Sequence, residues 1–248
     1  MKLNETVRIL MSNITFFLAI TLIIWVPAYA IIILKNIFYT GIEWPAVASF
    51  YGALLPGLDI NKLLSGFISM CIDATIISLI VPYCGGVAVY GALKLRQGRP
   101  VGVLEALTEG FKKWWTMLCV SFIYSVLVFL GCLLFIIPGI ILAAVFSLVF
   151  VNAIAEQTGI WQHFERSIEM ARHRLMPILG AVLVVFVILG LISIGLQGAV
   201  YLTGLGKNQV VVLGTGLLGQ LISLVYWVFP VPFYTSVDRN NEEYVSVF

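Results

Sequence analysis

The chain has 248 residues, 61% of them hydrophobic and only 10% charged, against roughly a quarter charged in typical soluble domains. That balance excludes an ordinary water-soluble domain, and a formal net charge of +2 excludes the basic footprint of a nucleic-acid binder. The expectation is an all-α polytopic membrane bundle, residues 1–248 forming a single integral membrane domain.

Met1 to Arg8 reads as a short polar leader carrying Lys2, Glu5 and Arg8, and Ile9 to Leu34 is an uncharged run long enough for a first span. Ala28-Tyr29-Ala30 resembles a signal-peptidase site. The apolar run before it exceeds the usual h-region of about 7–15 residues, so an uncleaved helix is expected. Asn4-Glu5-Thr6 and Asn13-Ile14-Thr15 spell glycosylation acceptors, at a place in the chain where that modification is not expected. Lys35 to Lys62 holds Trp44-Pro45, Phe50 and Tyr51, which suit an interfacial helix too short to span. Leu63 to Leu93 is the second span, interrupted by Asp73 and marked by Pro82 and Gly85-Gly86.

Trp114 to Ala155 contains no Asp, Glu, Lys, Arg or His. As one helix it would be about 63 Å long, twice the roughly 30 Å hydrocarbon core of a bilayer. Pro138-Gly139 near its middle is expected to form the hairpin turn between spans three and four, since proline removes a backbone donor and glycine accepts turn geometry. Glu156 to Met176 is polar and helical in pattern. Pro177 to about Tyr201 is span five, Gly204 to Lys207 a turn, Val210 to about Pro230 span six, and a polar tail follows from Asp238.

Six spans put both termini on one side, and the basic residues choose which. With the termini inside, the inner set is Lys2, Arg8, Lys94, Arg96, Arg99, Lys112, Lys113, Arg166, Arg172, Arg174 and Arg239. The outer set is Lys35, Lys62 and Lys207. The positive-inside bias therefore predicts cytoplasmic termini. Two amphipathic segments, one from Gly102 and one from Gly159, each lead into an outward-going span, a pattern that suits a parallel duplication.

The segment Leu93-Lys94-Leu95-Arg96-Gln97-Gly98-Arg99-Pro100-Val101-Gly102-Val103-Leu104-Glu105-Ala106-Leu107, the run Leu133 to Leu142 around Pro138-Gly139, then Gly159 and Glu165-Arg166-Ser167, together resemble the YciC-like family of bacterial six-span inner-membrane proteins. They are more distantly similar to the membrane domain fused to some glycerophosphodiester phosphodiesterases. The resemblance covers about Leu93 to Leu175. It implies a multi-pass location in the cell inner membrane and no agreed activity, so it brings no catalytic residues.

Other motifs have plain readings. Gly214-Thr215-Gly216-Leu217-Leu218-Gly219 spells GxGxxG, but the dinucleotide fingerprint needs a preceding strand, and close helix packing through small residues fits better. Cys71, Cys84, Cys119 and Cys132 show no CxxC spacing and read as small hydrophobes. His163 and His173 lie ten positions apart, which does not place them on one helical turn as a zinc site would. Gln197 and Gln220 are candidates for hydrogen bonds between spans.

Asp73 is the one formal charge inside a presumed span and hence a candidate ion or proton site; its place near the outer interface favours a structural role. Arg96, Arg99, Lys112, Lys113, Arg172 and Arg174 are candidate anionic-lipid contacts. No nucleophile triad, P-loop or soluble domain is visible, so no enzyme activity, cofactor or metal is expected. The expected partners are the bilayer, anionic phospholipids or other membrane proteins, and no nucleic acid. The expected role is non-enzymatic lipid binding or support of membrane organisation; the alternative is a small transporter or channel, with Pro82 and Gly85-Gly86 as its helix break.

Overall fold

The computed structural model describes residues 2–39, 60–156, 158–172, 174–204 and 209–236. These form helices α1 (Lys2–Ser12), α2 (Ile14–Tyr39), α3 (Ile60–Arg96), α4 (Val103–Lys112), α5 (Trp114–Leu134), α6 (Ile136–Phe146), α7 (Val149–Ala155), α8 (Ile160–Arg172), α9 (Leu175–Leu202) and α10 (Gln209–Val228). No strand occurs among the described residues. Six segments are long and apolar enough to cross a membrane: Ile14–Lys35, Ser65–Arg96, Trp114–Leu134, Ile137–Ala155, Leu175–Leu202 and Gly214–Ser236. The interfacial helix expected around Trp44-Pro45, the loop at Lys207 and the tail from Asp238 lie outside the described residues. The chain divides into one compact unit of Met1–Ile23 with Pro82–Phe248 and a second of Ile24–Val81.

The first span starts later than the uncharged run suggests. Ser12 Oγ and Asn13 Nδ2 donate to the Ile9 carbonyl at 3.3 and 3.1 Å, ending α1. The Asn13 carbonyl then accepts from Phe16 and Phe17 to begin α2. Short polar side chains that bond nearby backbone compete with helix continuation, so Ile9 to Ser12 belongs to a separate amphipathic helix.

At the far end of α3 the backbone closes with a Schellman motif. Arg99 N–H bonds the Lys94 carbonyl and Gly98 N–H that of Leu95, with Gly98 at φ +72°, a conformation that glycine adopts without a Cβ penalty. Pro100 then prevents the helix from resuming.

The hairpin reversal is not at Pro138-Gly139. Its one non-helical residue is Phe135, extended at φ −161° and ψ 147°, which caps α5 and opens α6 together. Pro138 falls in the first turn of α6, where the backbone N–H has no intrahelical acceptor and proline costs little. Gly139 serves close approach instead: a Cβ there would stand 2.7 Å from the Cys132 backbone nitrogen and 2.9 Å from its Cα. Gly131 faces it, with an added Cβ 3.0 Å from the Gly139 Cα. The two backbones touch, so no side chain can yield.

Glycines also explain how α3 enters the first unit's core. A Cβ on Gly85 would meet the Trp227 ring at 2.5 Å, one on Gly86 would meet Met117 and Ile154 at 3.3 and 3.4 Å, and Gly91 lies against the Phe16 ring. Helix α3 runs unbroken through Pro82, so Gly85-Gly86 is a packing surface and not the expected break. By contrast Gly214 and Gly219 meet nothing within 4 Å, so neither of these two glycines marks a close approach within the chain. Gln220 accepts from Ser223 of its own helix at 3.4 Å, and Gln197 is exposed. The four cysteines are free.

Helix α7 lies at the centre of this unit, buried from Val149 through Ile154. Phe150 stacks edge-on against Tyr124 and Trp227, with centroids 5.0 and 4.9 Å apart. The last span passes Pro230 and continues as one more helical stretch over residues 231–236. Phe229, Val231, Phe233 and Tyr234 are all buried, so the chain after Pro230 belongs to the core.

Gly139→Ala should therefore destabilise the hairpin by about 1–3 kcal/mol, the range of overpacking a tight core. Gly190→Ala, which faces open space within α9, should be neutral or stabilising by helix propensity. Thermal unfolding of the two variants in one detergent checks the contrast.

Candidate functional site

The polar groups of the first unit collect at one end. Arg96 bonds Glu5 at 3.0 Å and the Val231 carbonyl at 3.0 Å. Tyr90 donates to Glu105 at 2.8 Å, and Lys94 lies 3.6 Å from the same carboxylate. Arg174 donates to Ser236 Oγ at 3.0 Å. Glu156 takes Arg166 Nε at 2.9 Å and the Tyr234 hydroxyl at 3.1 Å. These contacts bring α1, the end of α3, the α7–α8 link, the start of α9 and residues 231–236 to a single basic end.

Lys113 and Arg174 hold matching positions, each the N-cap of a span. A cation is unfavourable at the positive N-terminus of a helix and favourable at a C-terminus. Arg174 donates to Ser236 instead, and Lys113, which is also the C-cap of α4, gives its ammonium to the C-terminus of a third helix. Lys113 Nζ donates to the carbonyls of Ala153, Ile154 and Glu156 at 3.4, 2.9 and 2.8 Å, which uses its three donors on the C-terminus of α7. Burial lowers its pKa, opposed by the charges of Glu109 and Glu156. The helices ahead of these caps also match: Gly110 of α4 packs on Val87 of α3, and Ser167 of α8 donates to the Val145 carbonyl of α6 at 2.6 Å.

Beside Lys113 opens a cleft of about 350 Å³ lined by Glu109, Lys112, Lys113, Thr116, Ala153, Glu156, Thr158 and His163. His163 is 1% exposed. Its Nδ1 meets Thr158 Oγ1 at 3.1 Å, and its carbonyl accepts from Asn152 Nδ2 at 3.3 Å. Neither His163 Nε2 nor Asn152 Oδ1 has a partner among the described residues. Burial is the main cause that pushes the imidazole pKa down; Lys113 adds to it and Glu156 opposes it. No group of three His, Cys, Asp or Glu capable of holding a metal occurs among the described residues. His173 lies outside them.

The six basic candidates separate into two kinds. Arg96, Lys113 and Arg174 are engaged inside the protein as described, whereas Arg99, Lys112 and Arg172 are exposed, Lys112 with Glu109 at 2.6 Å. Arg8, not among the candidates, lines a second cleft of about 240 Å³ with Glu5, Ser12, Asn13 and Arg96. Charge spacing alone does not reveal which cations are consumed by backbone carbonyls, because those acceptors belong to distant residues.

In the second unit, Lys35 Nζ reaches both oxygens of Asp73 at 2.8 Å and Ser69 Oγ at 2.7 Å. Asp73 is thus half of an ion pair between α2 and α3, not an isolated carboxylate in a span.

Six apolar spans with their polar groups gathered at helix ends make this a multi-pass membrane protein by the length and composition of its helices. No protein-family model, curated protein or solved structure matches the chain.

A histidine whose pKa is lowered in the folded state stabilises the protein above its unfolded value, and that contribution is lost as the pH falls through the folded one. Thermal stability should therefore decline as the pH drops below about 6.5, with a slope of up to about 1.4 kcal/mol per pH unit from this group. The His163→Gln variant should lack that part of the slope in the same pH series of unfolding curves.

Proposed function

We propose that this is a non-enzymatic protein of the bacterial inner membrane, with both termini cytoplasmic, whose basic end associates with anionic phospholipid. The observation that carries the reading is the joint exposure of cations and apolar side chains on the same short helices. Helix α4 and the start of α5 expose Leu104, Phe111 and Trp115 beside Lys112, and α8 exposes Trp161 and Ile168 beside Arg172. Arg99 is exposed on the link into α4. An amphipathic helix of this make-up buries its apolar side chains at the headgroup boundary and sets its cations against lipid phosphates. The excess of Lys and Arg at this end supports its cytoplasmic placement. The resemblance of Leu93 to Leu175 to the YciC-like family supports the inner-membrane placement alone.

A transporter would draw on Pro82 with Gly85-Gly86 as a helix break and on Asp73 as a candidate ion or proton site, in that order. Helix α3 runs through the first, and Lys35 neutralises the second.

Replacing Arg99 and Arg172 together with Gln should weaken retention of phosphatidylglycerol on the purified protein. At about 1 kcal/mol for each cation near a charged surface, the loss is on the order of 30-fold at low salt. It should shrink when salt screens the charges. Asp73→Asn should leave retention unchanged. A proton-coupled transporter would show the reverse pattern: flux abolished by Asp73→Asn and indifferent to the two arginines.

A further inference from the structure

Helix α1 divides its side chains between two clefts of the first unit. One is the polar cleft of about 240 Å³ that Glu5, Arg8, Ser12 and Asn13 line with Leu95 and Arg96 at the end of α3. The other is a groove of about 280 Å³ lined by Val7, Met11 and Leu18 on one side and by Leu221, Ile222 and Val225 of α10 on the other. Every residue that lines the groove is apolar.

Arg8 marks the boundary of the two. It is three residues from Glu5 and four from Ser12 on the polar side, and three from Met11 on the apolar side. Residues at these spacings are neighbours on a helix surface. Arg8 is exposed and has no hydrogen bond or ion pair among the described residues. The other charges of the cleft are already matched, since Arg96 bonds Glu5 and the Val231 carbonyl at 3.0 Å each. Two cations against one carboxylate leave one positive charge in excess, and Arg8 carries it.

The groove also has a direction. The bond from Arg96 to Val231 ties the polar cleft to the end of the last span. Leu221 and Val225 precede Val231 by ten and six residues, about 9–15 Å along a helix. Leu18 lies near the start of the span Ile14–Lys35. The groove therefore runs from the polar end into the apolar part of the bundle, with an unpaired cation at its mouth. An alkyl chain suits such a lining because it brings no polar group that burial would leave unpaired.

We propose that α1, the start of α2 and α10 form a slot for one phospholipid molecule of net charge −1, its phosphodiester on Arg8 and one acyl chain in the groove. A guanidinium and a phosphate make a strong, charge-assisted pair. An ethanolamine or choline headgroup would bring an ammonium toward Arg96 with no carboxylate free to receive it, because Glu5 is bonded to that arginine. A glycerol headgroup brings only hydroxyls, which suit the Ser12 and Asn13 side chains. The slot rests on the anionic-lipid reading for the class of its ligand but shares none of its residues. Arg99 and Arg172 attract lipid by charge alone, whereas the slot also buries a chain.

The test loads the full chain in detergent with phosphatidylglycerol, phosphatidylethanolamine or phosphatidylcholine. A wash at about 1 M salt, where charges are screened beyond about 3 Å, strips lipid held at the surface, and native mass spectrometry counts what remains. One phosphatidylglycerol per chain should survive, at least tenfold above either zwitterionic lipid. Arg8→Gln should lower that adduct at least fivefold. So should Leu18→Trp, which fills the groove from a residue already 41% exposed; both variants should keep the unliganded unfolding temperature. Replacing Arg99 and Arg172 with Gln should leave the adduct in place and remove only lipid that low salt retains. Glycerophosphoglycerol, the same headgroup without chains, should give no binding signal in calorimetry, and its binding would overturn the role of the groove without recourse to a variant. Equal survival of all three lipids would overturn the proposal, as would an adduct indifferent to Arg8→Gln; either result leaves the surface reading standing. A dimer that Leu18→Trp dissociates would overturn it too and assign the groove to a second copy of the chain.

Discussion

The carbonyls of Ala153 and Ile154 in the last turn of α7, and that of Glu156 just beyond, point into a crowded corner, and Lys113 bonds all three. Helix ends leave backbone acceptors that must find partners, and here the partner comes from the boundary of two other helices. The contact fixes the α4–α5 corner against the end of α7, so the buried centre of the first unit and its polar face share one anchor. His163, Thr158 and Glu156 take their places around it. An ammonium with three hydrogen bonds is a stronger tie than an exposed ion pair, because charge-assisted bonds gain in a partly desolvated setting.

Above that corner the bundle depends on backbone proximity. Gly131 against Gly139 closes the hairpin, while Gly85, Gly86 and Gly91 let Trp227, Met117 and Phe16 seat directly on α3. Lipid is as apolar as a leucine side chain, so spans gain little from burying hydrophobes against each other. They gain from close contact, and the glycines stand where contact is closest.

Much of this was legible in the chain itself. Span number and the clustering of cations between spans follow from hydropathy and charge, which act over whole segments. The errors are local. Asn13 splits the first apolar run because its side chain bonds a carbonyl one turn back, an option that composition does not encode. The hairpin turns at Phe135 because a proline fits the first turn of a helix as readily as it breaks one. Residues 231–236 return to helix after Pro230 because the Pro230 carbonyl accepts from Phe233 and Tyr234. The roles of Lys113 and Asp73 were hidden for a different reason. Their partners lie 40 and 38 positions away in the nearest cases, and only the fold brings them together.

We infer that the groups gathered around Lys113, Glu156 and Arg174 occupy one side of the membrane and the turns at Phe135 and Gly204 the other. In a variant whose four native cysteines are replaced by Ala, single cysteines at Gly98, Thr158, Phe135 and Gly204 can be labelled in intact cells with a membrane-impermeant thiol reagent. The predicted result is labelling at Phe135 and Gly204, with Gly98 and Thr158 reacting only after the membrane is opened. Labelling of Gly98 or Thr158 together with Gly204 in sealed cells would contradict it.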